Sequence, residues 1–164
     1  MNASVGRQAD EFVEIAEGFR GHGANIDALV IQMGNNGPLY SDEMDDLRAA
    51  TRNVGELFLI NDHAPVSWVK ESDGALAEAA ETWPHTTLVD WAKVAGDHEK
   101  LLWDEIHLKP AGVGVYTRMI SRAVHARFEW PLVTRSQAQP PARSSSSGRA
   151  SERRDAGGSR PSSG

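Results

Sequence analysis

The chain of 164 residues contains no cysteine, which excludes disulfides, thiolate metal sites and a cysteine nucleophile. It also has no run of about 18 apolar residues, the length that a membrane-spanning helix needs. Its first residues lack the charged, apolar and small-residue regions of a secretory signal peptide. We therefore expect a soluble chain that carries no export signal of its own, and the compartment stays open.

Charge and composition divide the chain into two parts. Residues 135–164 hold nine Ser, six Arg, four Gly and three Pro, with no apolar residue larger than Ala. Such a segment cannot bury enough surface to offset the loss of chain entropy, so we predict a disordered tail. Residues 1–134, the predicted folded domain, carry 11 basic and 21 acidic residues, a net charge of −10. A domain this acidic is a poor nucleic-acid binder, so no nucleic-acid partner is expected.

Short apolar runs alternate with segments of helical periodicity. The apolar runs are typical of strands that are buried on both faces. Their alternation with helices predicts parallel strands joined by right-handed crossovers, and therefore an α/β three-layer sandwich. The predicted strands cover residues 28–33, 57–60 and 86–91, and the predicted helices cover residues 8–20, 41–51, from Ser72 or Asp73 to near Pro84, and 112–128.

A carboxylate precedes a histidine by three residues in Asp104-Glu105-Ile106-His107. Histidine is a useful base near neutral pH, but it needs one tautomer and one orientation, and a carboxylate bonded to Nδ1 supplies both. A three-residue spacing allows one turn to bring the two side chains together. The bare spacing is also typical of an exposed salt bridge, whereas the longer pattern D-x-I-H-L-x-P-x-G, over residues 104–112, favours catalysis.

The segment Gly34-Asn35-Asn36-Gly37 follows the first predicted strand. In a sheet of parallel strands, ligands lie at the carboxyl ends of the strands. Glycine lets the backbone approach a ligand closely and an Asn amide adds a donor, so this segment is suited to stabilising a negative oxygen. Asn-Gly and Gly-Pro are also ordinary turn sequences, and the segment taken alone favours a turn.

Together these segments resemble the SGNH (GDSL-like) hydrolase superfamily. Its conserved blocks are matched in order by residues 5–8, 29–37, 57–61, 88–91 and 104–112. Within the superfamily, the chain resembles the SGNH domains of bacterial envelope O-acetyltransferases, which are fused to membrane acyltransferase-3 modules. The resemblance implies a flavodoxin-like parallel sheet, no cofactor, and acetyl esters of envelope carbohydrate as substrates. It also implies a membrane acyltransferase module in the full-length protein and an extracytoplasmic domain.

The resemblance assigns roles to four residues of this chain. His107 is the catalytic base and Asp104 orients it, while Asn36 and Gly6 donate hydrogen bonds in the oxyanion hole. The nucleophile of the family is the serine of an N-terminal Gly-Asp-Ser block, and no Gly-Asp-Ser occurs in this chain. Ser4 lacks that context and is a poor substitute. We therefore expect little or no serine-based turnover from these 164 residues alone.

The missing block would also supply the central strand of the sheet. In the strand order 2-1-3-4-5, its absence leaves the strand over residues 28–33 with an open edge, which invites aggregation or pairing with another chain. We therefore expect poor stability or self-association. The alternatives to a truncated esterase or O-acetyltransferase domain are a non-catalytic carbohydrate-binding or assembly module and an inactive gene remnant. No metal is expected, because none of the Asp-His pairs at 62–63, 97–98 and 104/107 has the spacing of helical metal sites.

Overall fold

The structure is a computed structural model that describes residues 2–21 and 25–128, apart from the side chain of Arg20. The predicted domain boundary at residue 134 and the predicted disordered tail over residues 135–164 lie outside the described residues. The elements follow in the order α1 (Ala9–Gly21), β1 (Ala28–Gln32), α2 (Ser41–Thr51), β2 (Glu56–Ile60), α3 (Val69–Thr82), β3 (Thr86–Val89), α4 (Trp91–Asp97), a short 3-10 helix (Glu99–Leu101) and α5 (Pro110–Phe128).

The three strands form one parallel sheet in the order β1-β2-β3. Val30 lies beside Phe58, and Phe58 lies beside Thr87. Each connection passes through a helix, because α2 lies between β1 and β2 in the chain and α3 lies between β2 and β3. The predicted α/β class with a parallel sheet is therefore confirmed.

Apolar side chains on the two faces of the sheet bury two separate cores. Successive residues of a strand point to opposite faces, so Leu57 and Leu59 join one core while Phe58 and Ile60 join the other. The first core packs the sheet against α1, α2 and α3, and the second packs it against α4 and α5. Helices thus cover both faces of the sheet, in agreement with the predicted three layers.

The start of α3 differs from the prediction. The helix begins at Val69, so Ser72 and Asp73 lie within it rather than at its start. The Ser72 hydroxyl is buried and accepts a hydrogen bond from the Leu39 amide at 3.2 Å, while Asp73 accepts one from the Asp62 amide at 2.9 Å. Serine and aspartate favour helix starts when they bind the free amides there, whereas these two side chains bind amides of neighbouring loops.

The third strand is shorter than predicted, and a helix that the sequence did not predict follows it. β3 ends at Val89, and Asp90 accepts a hydrogen bond from the Lys93 amide at 3.1 Å. A carboxylate that binds an amide three residues later is a typical N-cap, so the chain enters α4 at Trp91 instead of extending the strand. Trp91, which the prediction placed at the end of the strand, is therefore the first residue of this helix.

One edge of the sheet is open. β1 pairs with β2 on one side, and within the described ranges no strand pairs with its other side. Val30 is 39% exposed at this edge, whereas Phe58, its neighbour in β2, is fully buried. The open edge predicted for this strand is therefore present in the part of the chain that the structure describes.

Candidate functional site

Asp104 and His107 lie in a tight loop between the 3-10 helix and α5. One Asp104 oxygen, Oδ1, accepts hydrogen bonds from the backbone amides of Ile106 at 3.3 Å and His107 at 2.8 Å. The Trp103 amide donates to the His107 carbonyl at 2.8 Å, and Glu105 has a positive φ of 66°. A short carboxylate side chain that binds the amides two and three residues later is what closes this turn.

The same turn brings the two side chains together. Nδ1 of His107 lies 2.8 Å from Oδ2 of Asp104 and 3.0 Å from its Oδ1. The backbone amide of His107, and then its side chain, hold the pKa of Asp104 below its usual range. A carboxylate at Nδ1 favours the tautomer with the proton on Nδ1, which leaves the lone pair on Nε2. The arrangement can therefore take a proton at Nε2, which is the task of a general base.

The base of this loop is anchored in the core. The Lys109 amide donates to the Leu101 carbonyl at 2.8 Å, and Leu102 and Leu108 form an antiparallel bridge. Gly112 packs directly against the Leu101 carbonyl oxygen, where a Cβ would clash. The motif D-x-I-H-L-x-P-x-G therefore combines two functions, because its first half forms the turn and its last glycine lets α5 approach the anchor.

The predicted oxyanion residues lie together on a second loop. The Gln8 side-chain amide donates to the Gly6 carbonyl at 3.2 Å and to the Asn36 carbonyl at 3.0 Å. The Asn36 side-chain amide donates to the Arg7 carbonyl at 3.2 Å, and its second N–H is not needed for that bond. Gly6 has a φ of 72°, a conformation that favours glycine. Segments 28 or more residues apart in sequence are thus joined at this end of the sheet.

The loop that carries Asn36 is fixed by α3 and the segment before it. The Trp68 indole N–H donates to the Gly34 carbonyl at 3.1 Å, and Ser72 binds the Leu39 amide. Both ends of the loop are therefore held by side chains from one neighbouring part of the fold. Such support restricts the backbone that would position Asn36.

The four predicted site residues thus form two pairs, Asp104 with His107 and Gly6 with Asn36. In the part of the chain that the structure describes, no hydrogen bond or ion pair joins one pair to the other. The side chains of His107 and Asp104 are 74% and 57% exposed, so both are open to a ligand. The catalytic and oxyanion roles assigned to these residues stay predictions.

A third polar group lies buried at the carboxyl ends of β1 and β2. Asp62 is 3% exposed, its Oδ1 accepts a hydrogen bond from the Gln32 amide at 2.6 Å, and Gln32 in turn accepts one from the Tyr116 hydroxyl. Burial raises the pKa of Asp62 to about 7; the Gln32 bond acts against this and the nearby Asp73 charge adds to it. Burial also raises the pKa of Tyr116.

The described residues give no sign of a metal site or of a membrane span. No group of three or more His, Asp or Glu side chains among them is arranged to hold a metal ion. No helix in residues 2–21 or 25–128 is both long and apolar enough to cross a bilayer.

Comparison with known proteins finds relatives among O-acetyltransferases, although no protein-family model matches the chain. The chain is 27% identical to the peptidoglycan O-acetyltransferase OatA of Listeria monocytogenes, over 76% of this chain and 20% of that protein. It is 25% identical to the O-acetyltransferase OatA of Staphylococcus aureus, over 76% of this chain and 21% of that protein. The chain thus spans about a fifth of the length of the curated relatives that it matches.

A solved structure decides the fold. It is the C-terminal catalytic domain of the Streptococcus pneumoniae peptidoglycan O-acetyltransferase A (OatA), with a methylsulfonyl adduct. The match has a TM-score of 0.69 and 23% identity, and covers 79% of this chain and 81% of that one. The chain has the fold of an OatA catalytic domain. Together with the curated relatives, this match confirms the predicted resemblance to envelope O-acetyltransferases.

Sequence reasoning missed three polar residues of this OatA-like fold. Gln8, which joins Gly6 to Asn36, lies in the block over residues 5–8 that matches the superfamily, but the resemblance assigns it no functional role. Gln32 and Tyr116, which extend the Asp62 network, belong to a strand and a helix that were interpreted only as apolar elements. A polar residue at the carboxyl end of a buried strand is a signal that could have identified Gln32, because that end is where ligands lie.

Proposed function

We propose that this chain provides the general base and the oxyanion donors of an acyl-transfer site that acts on acetyl esters of peptidoglycan. The observation that carries the proposal is the Asp104–His107 contact, in which a carboxylate with a lowered pKa holds Nδ1 and leaves Nε2 exposed to a reactant. The kinship with OatA supports the ester and carbohydrate class of the substrate. Fold alone would not, because one fold hosts many activities.

Each of these residues has a defined role in the acyl-transfer reaction. His107 Nε2 removes the proton from a hydroxyl as its oxygen attacks the ester carbonyl, and Asp104 stabilises the resulting imidazolium. The oxyanion that forms accepts hydrogen bonds from the free N–H of Asn36 and from the Gly6 amide. The proton then passes from His107 to the departing alcohol oxygen. The resemblance assigns the attacking hydroxyl to the serine of a Gly-Asp-Ser block, which these 164 residues do not contain.

The test uses the protein as its native source makes it, with the intact mass determined first. Acetate release from O-acetylated peptidoglycan fragments and acetyl transfer to them are measured for the wild-type protein, His107→Ala and His98→Ala. Loss of a positioned base lowers the rate by about 100-fold or more, so we expect that loss in His107→Ala. His98 is an exposed histidine outside the proposed site, so His98→Ala should keep the wild-type rate.

Two outcomes would contradict the proposal. If His107→Ala retained the wild-type rate, His107 would not be the base. If a wild-type protein whose mass includes an upstream Gly-Asp-Ser segment neither released nor transferred acetate, the chain would not take part in catalysis, and a binding role would become the better explanation. The intact mass separates a protein with an upstream Gly-Asp-Ser segment from a protein of 17.8 kDa.

A second function, carbohydrate binding without catalysis, is favoured by one observation. Trp103 is 69% exposed beside the Asp–His turn, and the Lys109 ammonium lies 5.3 Å from the centre of its ring. An exposed aromatic face with a polar rim suits the apolar face of a sugar ring. Peptidoglycan fragments should quench the Trp103 fluorescence and raise the unfolding temperature, and Trp103→Ala should abolish both effects while leaving the fold intact.

The same kinship supports a proposal for the partners and the compartment. We propose that a membrane acyltransferase module delivers the acetyl group and that the domain acts outside the cytoplasm. Fractionation of the native protein with an antibody against this chain tests the compartment. Self-association through the open edge of β1 stays a prediction, and sedimentation of the purified chain at several concentrations tests it.

A further inference from the structure

The helix that follows the Asp–His turn spans the sheet from one end to the other. Arg127, near the end of α5, binds the Glu56 carboxylate at 2.8 and 3.1 Å, and Glu56 is the first residue of β2. Tyr116, in the first half of α5, donates to Gln32, which is the last residue of β1. α5 therefore runs antiparallel to the strands. Its first turn lies at their carboxyl ends, and so does His107, which shortly precedes it.

Two hydrogen bonds lead from Tyr116 across the end of the sheet. Its hydroxyl donates to Gln32 Oε1, and Gln32 Nε2 donates to Asp62 Oδ1 at 2.6 Å. An amide group carries its acceptor and its donors in one plane, so the first bond restricts the direction of the second. The Tyr116 ring is itself held edge-to-face against Trp91, with ring centres 5.1 Å apart. We call Tyr116, Gln32 and Asp62 the polar relay.

The backbone at the far end of the relay is fixed by elements other than α5. The Asp62 amide donates to Asp73 in α3 at 2.9 Å, and the preceding residue, Asn61, accepts a hydrogen bond from the Ala92 amide in α4 at 2.8 Å. Only 3% of Asp62 is exposed. The Asp62 side chain therefore extends from a fixed backbone, and its oxygens have defined positions at the carboxyl ends of the strands.

The oxygens of Asp62 lie against the loop that carries Asn36. Gly34 has a φ of 116°, and a Cβ at that residue would lie 3.3 Å from Asp62 Oδ2. The backbone N–H of Asn35 also acts on this carboxylate and partly offsets the rise of its pKa. Gly34 and Asn35 immediately precede Asn36 in the chain. The Asp62 carboxylate therefore supports the backbone from which the Asn36 side chain extends.

We propose that the polar relay fixes the Asn36 loop relative to α5, and thereby holds the oxyanion donor at a set separation from His107. The inference rests on the proposed function, because it assigns a role within the same acyl-transfer site. The three members of the relay are positioning residues, which act through the donor and the base. Hydrogen bonds suit this task because they fix direction as well as distance, and a donor assists catalysis only when it is held close to the productive geometry.

The test removes one hydroxyl and observes the loop at the other end of the relay. Tyr116→Phe keeps the ring against Trp91 and loses only the donor to Gln32. In the full, isotope-labelled chain we expect the N–H vectors of Asn35 and Asn36 to change orientation relative to α5, as measured by residual dipolar couplings. The Asn35 amide should also exchange with solvent about two- to tenfold faster, which is the range that one hydrogen bond gives.

Two comparisons separate positioning from general stability. Thr117→Val removes the neighbouring, exposed hydroxyl of the same helix and should leave the loop unchanged. A residue that only stabilised the fold would speed the exchange of deeply buried amides such as that of Phe58, which open by global unfolding, and would leave the loop orientation as it was. Unchanged couplings at Asn35 and Asn36 in Tyr116→Phe would therefore overturn the proposal.

Gln32→Leu breaks the relay at its middle member. Gln32 is exposed at the end of β1, so its replacement by a side chain of similar size should leave the fold intact. We expect the same loop changes as in Tyr116→Phe, and no further change when the two substitutions are combined, because a relay that is already broken transmits nothing. Loop changes that added in the double variant would show two independent contacts and would contradict the relay.

Turnover gives the remaining outcomes. In a native protein whose mass includes an upstream Gly-Asp-Ser segment, Tyr116→Phe should lower kcat by about tenfold to 100-fold and leave KM unchanged, because an oxyanion donor acts in the transition state. An unchanged kcat would rule out the positioning role. The NMR measurements need no substrate. Absence of acetyl transfer by the wild-type protein would therefore contradict the proposed function, whereas unchanged loop couplings would contradict the relay, whatever the turnover.

Discussion

Two carboxylates of this fold have opposite electrostatic states. Asp104 lies on an exposed turn, and the His107 amide and ring hold its pKa below the usual range. Asp62 lies at the carboxyl ends of the strands, and burial raises its pKa to about 7. Both residues are aspartates, so the difference between their pKa values arises from their exposure to water and from the hydrogen-bond donors around each carboxylate.

The hydrogen bonds explain how each region is built. Asp104 has donors at both oxygens, all from within three residues, so the turn stabilises its charge locally. Asp62 has a donor from Gln32 at Oδ1, while its buried Oδ2 has no hydrogen-bond partner among the described residues. The exposed carboxylate is therefore equipped to stay charged beside a base. Because the pKa of the buried Asp62 is raised, the stability of the fold at the carboxyl ends of the strands should depend on pH.

The largest expected effect is the loss of this pH sensitivity in Asp62→Asn. The folded pKa of Asp62 is raised, so its contribution to stability is complete below about pH 4 and is lost as the pH rises through about 7. A pKa raised from 3.8 to about 7 corresponds to about 4 kcal/mol of unfolding free energy. Urea unfolding across this range should show the wild-type chain losing stability and Asp62→Asn losing much less.

Asp97→Asn is the matched control for that experiment. The Asp97 side chain is 63% exposed, and its contact with Lys93 Nζ, at 3.9 Å, is a surface ion pair of small energetic value. The pH dependence of Asp97→Asn should therefore follow that of the wild-type chain. The wild-type chain, Asp62→Asn and Asp97→Asn should therefore differ. If the unfolding free energy changed between about pH 4 and pH 8 by the same amount in all three, burial would not raise the pKa of Asp62.

The next effect concerns the anchor of the exposed turn. Gly112→Ala would place a methyl group against the Leu101 carbonyl oxygen, and the resulting overpacking should cost about 1–3 kcal/mol of unfolding free energy. Gly114→Ala, two residues along the same helix, would meet only the flexible end of Arg118 and should stabilise the protein by about 0.5–1 kcal/mol. Urea unfolding measures both. Equal effects of the two substitutions would show that the turn has no rigid anchor.

Sequence reasoning predicted what is local. The Asp104–His107 turn joins two residues that are three positions apart in the sequence. The sheet follows from apolar runs, and the hydrophobic pattern of each run sets its register. The fold class and the turn could therefore be predicted. The missed helix α4 has only seven residues and includes Gly96, so its periodicity was too short to distinguish it from the end of a strand.

The buried network could not be predicted in the same way. Its contacts join Gln32 to Asp62 over 30 residues and Tyr116 to Gln32 over 84 residues, so they exist only after the strands and α5 have packed. The altered pKa of Asp62 depends on the same packing, because its largest cause is burial. The position of Asp62 after a strand was visible, but its exclusion from water was not.

The smallest effect on stability is expected in Asp104→Asn. The pKa of Asp104 is lowered in the folded state, so its contribution to stability exists above the unfolded value and is lost as the pH falls through the folded one. Because the side chain is exposed, the urea midpoint near neutral pH should move less than in Gly112→Ala. The tautomer of His107 should nevertheless change, since an amide can donate to Nδ1 where the carboxylate could only accept. Nitrogen-15 NMR of the imidazole measures this change, with His98 as the internal reference. A His107 that kept its proton on Nδ1 in Asp104→Asn would show that the turn backbone, and not the carboxylate charge, orients the base.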